Sequence, residues 1–299
     1  MAQVIGIEDE RYPRLLKEIG KNAPKKLYYK GNWNDIFPAS SDELASRGGE
    51  NYLTVVGSRR LTTYGRRATD QIVTEIAASG VTIVSGFMYG GDEAAHSAAV
   101  RVGGKTIAVM PCGIDIIHPA YQKKLYNEIL ENNGLIISEY ESGFLPKTWS
   151  FVQRDRIVAG LSKAVLVTEA SLKSGSLLTA GYAKKYGRKV FAVPGQITSD
   201  VAKGTIQLIR EGAEPVTEAQ DILKYYDISF AKNKKETNKN FVCGNKLEQD
   251  IINQLGGEPM EADAIARALC VPAAKLGTTL SLMQLKGFIN QDAGKYYIN

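Results

Sequence analysis

The chain has 299 residues, about the length of two ordinary domains, and 44% of them are hydrophobic and 23% charged. This composition is that of a soluble globular protein with a core of its own. Basic residues number 37 and acidic residues 32, a net charge of +5, so any anion binding has to come from where the cations lie.

Membrane, secretion and metal signals are missing from the sequence. No apolar run approaches the roughly 18 residues that a membrane-spanning helix needs. Residues 1–14 contain acids and no apolar signal region, which predicts a cytoplasmic protein without membrane contact. The cysteines, Cys112, Cys243 and Cys270, are far apart and only two histidines occur, so we expect neither a structural zinc site nor a disulfide framework.

Residues 1–50 are predicted to form a lead-in that packs on the following domain. Apolar residues recur at Leu15, Leu16 and Ile19, and a short strand-like run, LYY, covers 27–29. The polar segment 38–51 is predicted as a loop.

Residues 51–230 alternate between apolar runs and segments with helical periodicity. The apolar runs cover 52–57, 81–86, 105–111, 135–140, 163–169 and 189–195. Ala68, Ile72 and Ile76 illustrate one helical face between them. Strands that are apolar throughout and alternate with helices are typical of a parallel sheet covered on both faces. We therefore predict an α/β fold with a Rossmann-like, doubly wound, mostly parallel sheet.

The rest of the chain is predicted to form a linker and a small second domain. Residues 231–246 are polar and lysine-rich, as expected of a linker. Residues 247–299 show three helical patterns, the third opening at Pro272, and a hairpin turning at 292–294, which predicts a winged helix. Counting Lys246, five basic residues face six acidic ones. This domain is therefore either a protein-contact element or a duplex binder that has lost its basic face.

Ligand chemistry is expected at the carboxyl ends of the strands, where open parallel sheets bind their ligands. Glycines and serines at these ends let backbone N–H groups approach an anion, and helix N-termini add a favourable dipole. Three such stretches are Gly57-Ser58-Arg59, Ser85-Gly86 and Ser174-Gly175-Ser176. No GxGxxG motif follows the first strand and no P-loop occurs, which disfavours NAD-dependent redox chemistry and ATP hydrolysis.

Cationic and aromatic side chains accompany this rim. They are Arg59, Arg60, Arg66 and Arg67 after the first strand, Trp149, Phe151, Arg154 and Arg156 after the fourth, and Lys173 and Lys203 in later loops. Arginine binds phosphate oxygens in a bidentate manner, and aromatic rings stack on unpaired bases. Solvated arginines paired with glutamates are the alternative, which stays open for Arg66 and Arg67, whereas Arg59 directly follows Gly-Ser at a strand end.

Catalytic candidates are few. Asp92 and His96 are four residues apart on a helix, but a capping aspartate and a hydrogen-bonded histidine explain them better than acid–base catalysis. Glu169 ends the fifth strand and either acts chemically or orders neighbouring donors, and Cys112 is expected to be a packed residue. Since no Ser/His/Asp arrangement can be assembled, the sequence predicts no catalytic residue.

Seven segments, taken in order, resemble one known family. They are VVGSRRLTTYGRR, SGFMYGGDEAAH, IAVMPCGIDIIHP, LIISEY, FVQRDRIVAGLS, VLVTEASLKSGSLLTA and VFAVPG. This ordered set is similar to the DNA-processing protein A family, also called DprA or Smf. The resemblance implies an extended Rossmann fold with a winged helix at the C-terminal end, no catalytic activity and no cofactor.

The same resemblance implies a cytoplasmic homodimer that binds single-stranded DNA, protects it in natural transformation and helps to load a RecA-type recombinase. Carried over by motif, DNA- or phosphate-binding roles fall on Gly57, Ser58, Arg59, Ser85, Gly86, Phe151, Arg154, Arg156, Ser174, Gly175, Ser176, Thr179, Lys203, Gly204 and Thr205. The chain departs from the family at Tyr89, where an arginine is usual, and at Asp155 and Ile206, where asparagines are usual. A lost arginine and a gained carboxylate both weaken anion binding.

The alternative function is that of a nucleotide-processing enzyme. Nucleotide-processing phosphoribohydrolases have related Rossmann folds with glycine-rich rim loops, and in such an enzyme Glu169, Asp92 and His96 would act chemically. The PGGxGT-type loop of those enzymes does not occur in this form. The binding protein is therefore the leading interpretation.

Overall fold

A computed structural model of the protein describes residues 2–38, 50–228, 244–256, 259–292 and 294–298. The chain divides into two units, Met1–Phe230 and Ala231–Asn299. The loop predicted over 38–51 and the linker predicted over 231–246 lie outside the described residues apart from their ends, as does the middle of the turn predicted at 292–294. Within the described ranges no helix combines the length and the apolar character needed to cross a membrane.

The first unit is built on one sheet with the strand order β1-β2-β6-β5-β4-β3-β7-β8-β9. Its strands are β1 (Gln3–Gly6), β2 (Lys26–Gly31), β3 (Tyr52–Val56), β4 (Thr82–Ser85), β5 (Thr106–Met110), β6 (Leu135–Ser138), β7 (Ala164–Val167), β8 (Lys189–Ala192) and β9 (Glu214–Pro215). The pairs from β6 across to β9 are parallel, whereas β1 and β2 pair antiparallel. Every residue of β3 to β7 is buried, which is why these strands read as continuous apolar runs. The predicted mostly parallel, Rossmann-like sheet is confirmed.

Helices cover both faces of this sheet. They are α1 (Arg14–Lys17), α2 (Trp33–Ile36), α3 (Thr63–Ala78), α4 (Gly91–Arg101), α5 (Lys123–Glu131), α6 (Thr148–Gly160), α7 (Gly175–Lys185), α8 (Lys203–Arg210) and α9 (Ala219–Leu223). Ile72 and Ile76 of α3 are buried on one face, with Ala68 packed against them, so the predicted helical face is confirmed. Val158 of α6 and Ala180 of α7 are buried on the other face.

The lead-in joins the core of the first unit. Strand β2 pairs with β6, with Tyr29 opposite Ile137, and β1 pairs with the outer side of β2. Leu16 of α1 and Leu27 of β2 are buried in the same cluster as Ile137. The lead-in therefore covers an edge that β6 would otherwise expose. The sequence does not predict β1, because four residues are too few to show a period.

The second unit is a small three-helix domain with its own sheet. Its elements are α10 (Lys246–Leu255), β10 (Met260–Glu261), α11 (Ala262–Leu269), α12 (Ala273–Leu285), β11 (Ile289–Asp292) and β12 (Lys295–Ile298). The strands pair antiparallel in the order β10-β12-β11. Ile251, Ile265 and Leu280, one from each helix, are buried together. The predicted winged helix is confirmed, with Pro272 as the N-cap of α12 and not its first residue.

Replacing Leu16 by alanine tests whether the lead-in stabilises the first unit. The side chain is 0% exposed. Its removal leaves a cavity, so the free energy of unfolding is expected to fall by about 2–5 kcal/mol, measured by urea unfolding. Val4→Ala is the matched control, because Val4 lies in the same lead-in and is 57% exposed. Equal losses from the two variants would contradict this packing.

Candidate functional site

The site lies where the strand order of the main sheet reverses. From β3 the chain continues through β4 to β6 on one side and then returns to β7, which lies on the other side of β3. The helices that follow β3 and β7, α3 and α7, cover opposite faces of the sheet. Such a reversal opens a crevice at the carboxyl ends of the two strands. A cleft of about 380 Å³ occupies it.

The cleft brings together most of the predicted phosphate-binding residues. Those that line it are Gly57, Ser58, Arg59, Gly86, Phe151, Arg154, Ser174, Gly175, Ser176 and Thr179. Arg60 and Lys173, which the sequence also places on the rim, line it as well. Met88 and Ser171 are further lining residues that the sequence analysis did not single out, since neither carries a charge, although both lie within the quoted segments.

Five predicted contacts lie outside the cleft lining: Ser85, Arg156, Lys203, Gly204 and Thr205. Ser85 Oγ donates to the Val55 carbonyl at 2.6 Å, and Thr205 Oγ1 donates to the Ala202 carbonyl at 3.0 Å. Arg156 pairs with Glu139, and Lys203 Nζ lies 2.5 Å from Asp200 Oδ1. Since these polar groups have partners within the protein, their role as DNA contacts stays a prediction.

The first turn of α7 faces open space in the cleft. Ser174 is the N-cap, and its Oγ accepts from the Ser176 N–H at 3.4 Å and lies 2.7 Å from Ser176 Oγ. A side chain at Gly175 would meet no atom within 4 Å. The N–H groups and the positive end of the helix dipole are therefore accessible to an anion. Lys173, which is exposed, adds a full charge beside them.

Arg59 is the exposed cation on the opposite wall of the cleft. Its guanidinium carbon lies 5.5 Å from the ring centre of Phe151 and 5.8 Å from that of Tyr89. Cation–π contacts with both rings therefore position the guanidinium while Arg59 stays exposed. The Arg60 N–H donates to Ser58 Oγ at 3.0 Å, which fixes the turn that carries both arginines. The arrangement offers a phosphate a bidentate partner next to an aromatic ring.

Two glycines bring the turn after β3 against the start of α4. A Cβ at Gly57 would lie 2.6 Å from Thr168 Oγ1, and one at Gly91 would lie 2.5 Å from Gly57 Cα. Neither position accepts a side chain unless the backbone shifts. The close approach lets the Gly91 N–H donate to the Ser58 carbonyl at 3.1 Å. The turn and the helix therefore form one wall.

Arg154, Asp155 and Asp92 form the floor of the cleft. Arg154 is 3% exposed, and its Nη1 donates to the carbonyls of Gly86 and Val109 while its Nε donates to Asp155 Oδ1 at 3.1 Å. Burial raises the pKa of Asp155 to about 6, with Arg154 opposing the rise and Asp92 adding to it. Burial also raises the pKa of Asp92. Arg154 thus ties the ends of β4 and β5 to α6, and its contact with phosphate stays a prediction.

Two side chains with catalytic potential are engaged in structural hydrogen bonds. Glu169 is 4% exposed and accepts from the Thr62 N–H at 2.9 Å and from Thr62 Oγ1 at 2.5 Å, which fixes the start of α3. His96 is fully buried, with Nδ1 at 2.7 Å from Thr106 Oγ1. Burial lowers the pKa of His96 to about 3. The phosphoribohydrolase alternative, in which Glu169, Asp92 and His96 would act chemically, gains no support from the placement of Glu169 and His96.

Neither a reactive thiol nor a metal centre is found in the described cleft. Cys112 is buried, and burial raises the pKa of its thiol to about 11. Among the described residues no group of three or more His, Cys, Asp and Glu side chains is placed to hold a metal ion.

Comparison with known proteins finds relatives for both units. A family model described as DNA recombination-mediator protein A matches residues 3–227, and one described as the DprA winged helix domain matches residues 244–295. The chain is 40% identical over 222 residues to DNA processing protein DprA of Streptococcus pneumoniae, covering 74% of this chain and 73% of that protein. It is 42% identical to Protein Smf of Synechocystis sp. over 74% of this chain and 53% of the relative, so it spans about half of that protein's length.

Two solved structures resemble the fold. The X-ray structure of DprA from Streptococcus pneumoniae matches with a TM-score of 0.66 at 38% identity, over 76% of this chain and 75% of that chain. A structure of DNA processing protein A from Helicobacter pylori, reported for its single-stranded DNA binding mode, matches with a TM-score of 0.63 at 32% identity, over 75% of this chain and 95% of that chain. The residues matched by the first family model include every wall of the cleft.

Replacing Asp155 by asparagine is expected to stabilise the protein in a pH-dependent way. In the folded protein the pKa of this carboxyl is raised from 3.8 to about 6. The stability that the protonated carboxyl contributes is therefore present below about pH 4 and is lost as the pH rises through about 6. Asparagine keeps an oxygen that accepts from Arg154 without the charge. The variant should therefore gain about 1–3 kcal/mol in the free energy of unfolding above about pH 6 and almost nothing near pH 4.

Urea unfolding of both proteins over this pH range measures the difference. The charged groups that act on Asp155 are Arg154, Asp92 and Arg59, and all three are present in both proteins. A difference in unfolding free energy that stays constant across the range would contradict a raised pKa at this carboxyl.

Proposed function

The chain belongs to the DNA recombination-mediator protein A family, and on this premise we propose that it binds single-stranded DNA in the cleft between β3 and β7. One observation carries the proposal: an open helix N-terminus at Gly175 shares a cleft with an exposed arginine, Arg59. The Helicobacter pylori structure, reported for its single-stranded DNA binding mode, supports the same class of ligand.

The phosphates of the strand bind to both walls of the cleft. One phosphate accepts from the N–H groups that begin α7, and the guanidinium of Arg59 binds a phosphate in a bidentate manner. Lys173 and Arg60 add exposed positive charge. Because these contacts go to the DNA backbone, they carry no sequence preference. Binding releases counterions and therefore weakens steeply with salt.

Two aromatic rings select unpaired bases. Phe151 lines the cleft, and Tyr89, which also contacts the Arg59 guanidinium, is 41% exposed. A base stacks on such a ring only when the face of the base is free, as in a single strand. In a duplex the neighbouring base pairs cover that face. Tyr89 thus offers a ring where the family usually has a cation, so base stacking takes part of the role of a phosphate contact.

The whole protein, in this proposal, is a cytoplasmic homodimer that protects incoming single strands in natural transformation and helps to load a RecA-type recombinase. The description of the family as a recombination mediator supports this role, as does the name of the Streptococcus pneumoniae relative, DNA processing protein DprA. The second unit serves as a protein-contact element, since its basic residues do not outnumber its acidic ones.

Arg59→Ala should weaken the binding of single strands of any sequence by about tenfold or more, because a charge-assisted hydrogen bond to phosphate is lost. The slope of log affinity against log salt should become shallower by about one phosphate contact. Fluorescence anisotropy of labelled oligonucleotides, titrated at several salt concentrations, measures both quantities.

Arg101→Ala is the control matched in charge, since Arg101 ends α4 outside the lining of the cleft and its side chain is 53% exposed. This variant should bind as the wild type does. An Arg59→Ala variant that keeps wild-type affinity at physiological salt would remove the cleft from consideration as the binding site.

A further inference from the structure

A second group of aromatic rings lies on the same rim, beyond the carboxyl end of β6. The rings of Tyr140 and Phe144 stack with their centres 4.3 Å apart. Trp149 lies 5.9 Å from the first and 5.8 Å from the second, at interplanar angles of 76° and 68°, so neither ring covers its indole in parallel. Trp149 is 50% exposed. Tyr140, Phe144 and Trp149 together form what we call the aromatic platform.

Hydrogen bonds to neighbouring loops hold the aromatic platform in place. The Gly113 N–H, just beyond β5, donates to the Phe144 carbonyl at 2.8 Å, and the Gly143 N–H donates to Asp115 Oδ1 at 2.9 Å. Lys147 Nζ lies 5.5 Å from the ring centre of Phe144. A preordered surface loses little conformational freedom on binding. Exposed apolar groups gathered in this way are typical of an interaction site.

We propose that the aromatic platform is a second stacking site for unpaired bases of the strand that the cleft holds. The inference rests on the proposed function and extends it along the rim. Helix α6 connects the two sites, because Phe151 lines the cleft and Trp149, two residues earlier, belongs to the platform. Residues two apart in a helix lie about 200° apart around its axis, so the two rings flank the first turn of α6.

The strand therefore crosses the amino end of α6 on its way between the rings. Helix α6 has 13 residues, and its dipole favours a phosphate at this end. Lys147, the N-cap residue of α6, is exposed at the same point. A single strand can place one base on each side of this helix end and a phosphate over it. A duplex would have to kink to do so.

The sheet sets the distance between the two sites. Strand β3 ends in the cleft, β6 ends at the aromatic platform, and β4 and β5 lie between them. Three strand spacings amount to about 14–15 Å. A few nucleotides span this distance, within the site sizes of about 4–16 nucleotides found for single-strand-binding OB folds.

The charges around the aromatic platform favour bases as its ligand. Glu141 is exposed beside Tyr140, and Glu139 pairs with Arg156. Carboxylates repel a phosphate, whereas stacking depends on ring faces and tolerates them. Continuity with the cleft through α6 favours the bound strand over a separate protein partner.

Intrinsic tryptophan fluorescence reports on the platform, because one of the two tryptophans of the chain, Trp149, belongs to it. Trp33 is 2% exposed and packs against Tyr29 and Phe37, so a stacked base reaches Trp149 alone. Titrating the wild type with a thymidine oligonucleotide of about 12 residues should quench its emission. The quenching should saturate together with binding measured by anisotropy of the labelled oligonucleotide.

Variants at Trp149 separate stacking from folding. Trp149→Ala should weaken binding by about 5- to 100-fold and leave the salt slope as in the wild type, because no phosphate contact is lost. Trp149→Phe keeps a ring and should bind within about threefold of the wild type, without the quenching. Val102→Ala is the control at another exposed apolar residue, 38% exposed at the end of α4, and should change nothing.

An oligonucleotide of the same length with abasic residues keeps the phosphates and should bind the wild type and Trp149→Ala equally. Wild-type affinity for the thymidine oligonucleotide in Trp149→Ala, or binding without quenching in the wild type, would overturn the proposal. If Trp149 proves dispensable in this way while Arg59→Ala weakens binding, the cleft remains the DNA-binding site and the platform binds a protein partner instead. A wild type that binds no single strand refutes the proposed function and this inference with it.

Discussion

The reversal of strand order between β3 and β7 is the constraint on which the rest of the site depends. Thr54 and Val165 are neighbours in a parallel pair, yet the helices that follow their strands cover opposite faces of the sheet. The two connections diverge, and the crevice between them is lined by turns and a helix start, whose N–H groups have no partner in a strand. Arg59 on one wall and the beginning of α7 on the other are both consequences of this topology.

The polar residues of the crevice divide into those that hold its loops and those that face a ligand. Arg154 belongs to the first kind, since it is buried and donates to the carbonyls of Gly86 and Val109. Arg59 and Lys173 belong to the second, since both are exposed at the mouth. By fixing the Gly86 carbonyl, Arg154 orders the loop that brings Tyr89 to Arg59. The buried Arg154 thus helps to position the exposed Arg59 through this loop.

Burial explains which elements the sequence predicts. Strands β3 to β7 are buried on both faces and read as apolar runs, whereas β9 has two residues and carries no pattern. The strand order is not predictable from local patterns, because it pairs residues as distant as Leu53 and Ala164. Motif reasoning finds the walls of the cleft but does not separate exposed from buried arginines. It also places Lys203 to Thr205 at the rim, where the Gly204 N–H donates to the Ala170 carbonyl at 2.8 Å and packs the start of α8 against the loop after β7. These three residues lie outside the cleft lining, and their contact with DNA stays a prediction.

A crystal structure of the protein with a short thymidine oligonucleotide tests the central claim most directly. We predict one or more phosphates at about 3 Å from the guanidinium of Arg59 and from the N–H groups that begin α7, with an unpaired base against Phe151. An oligonucleotide bound on the second unit, or at the amino ends of the strands with the cleft empty, would contradict it.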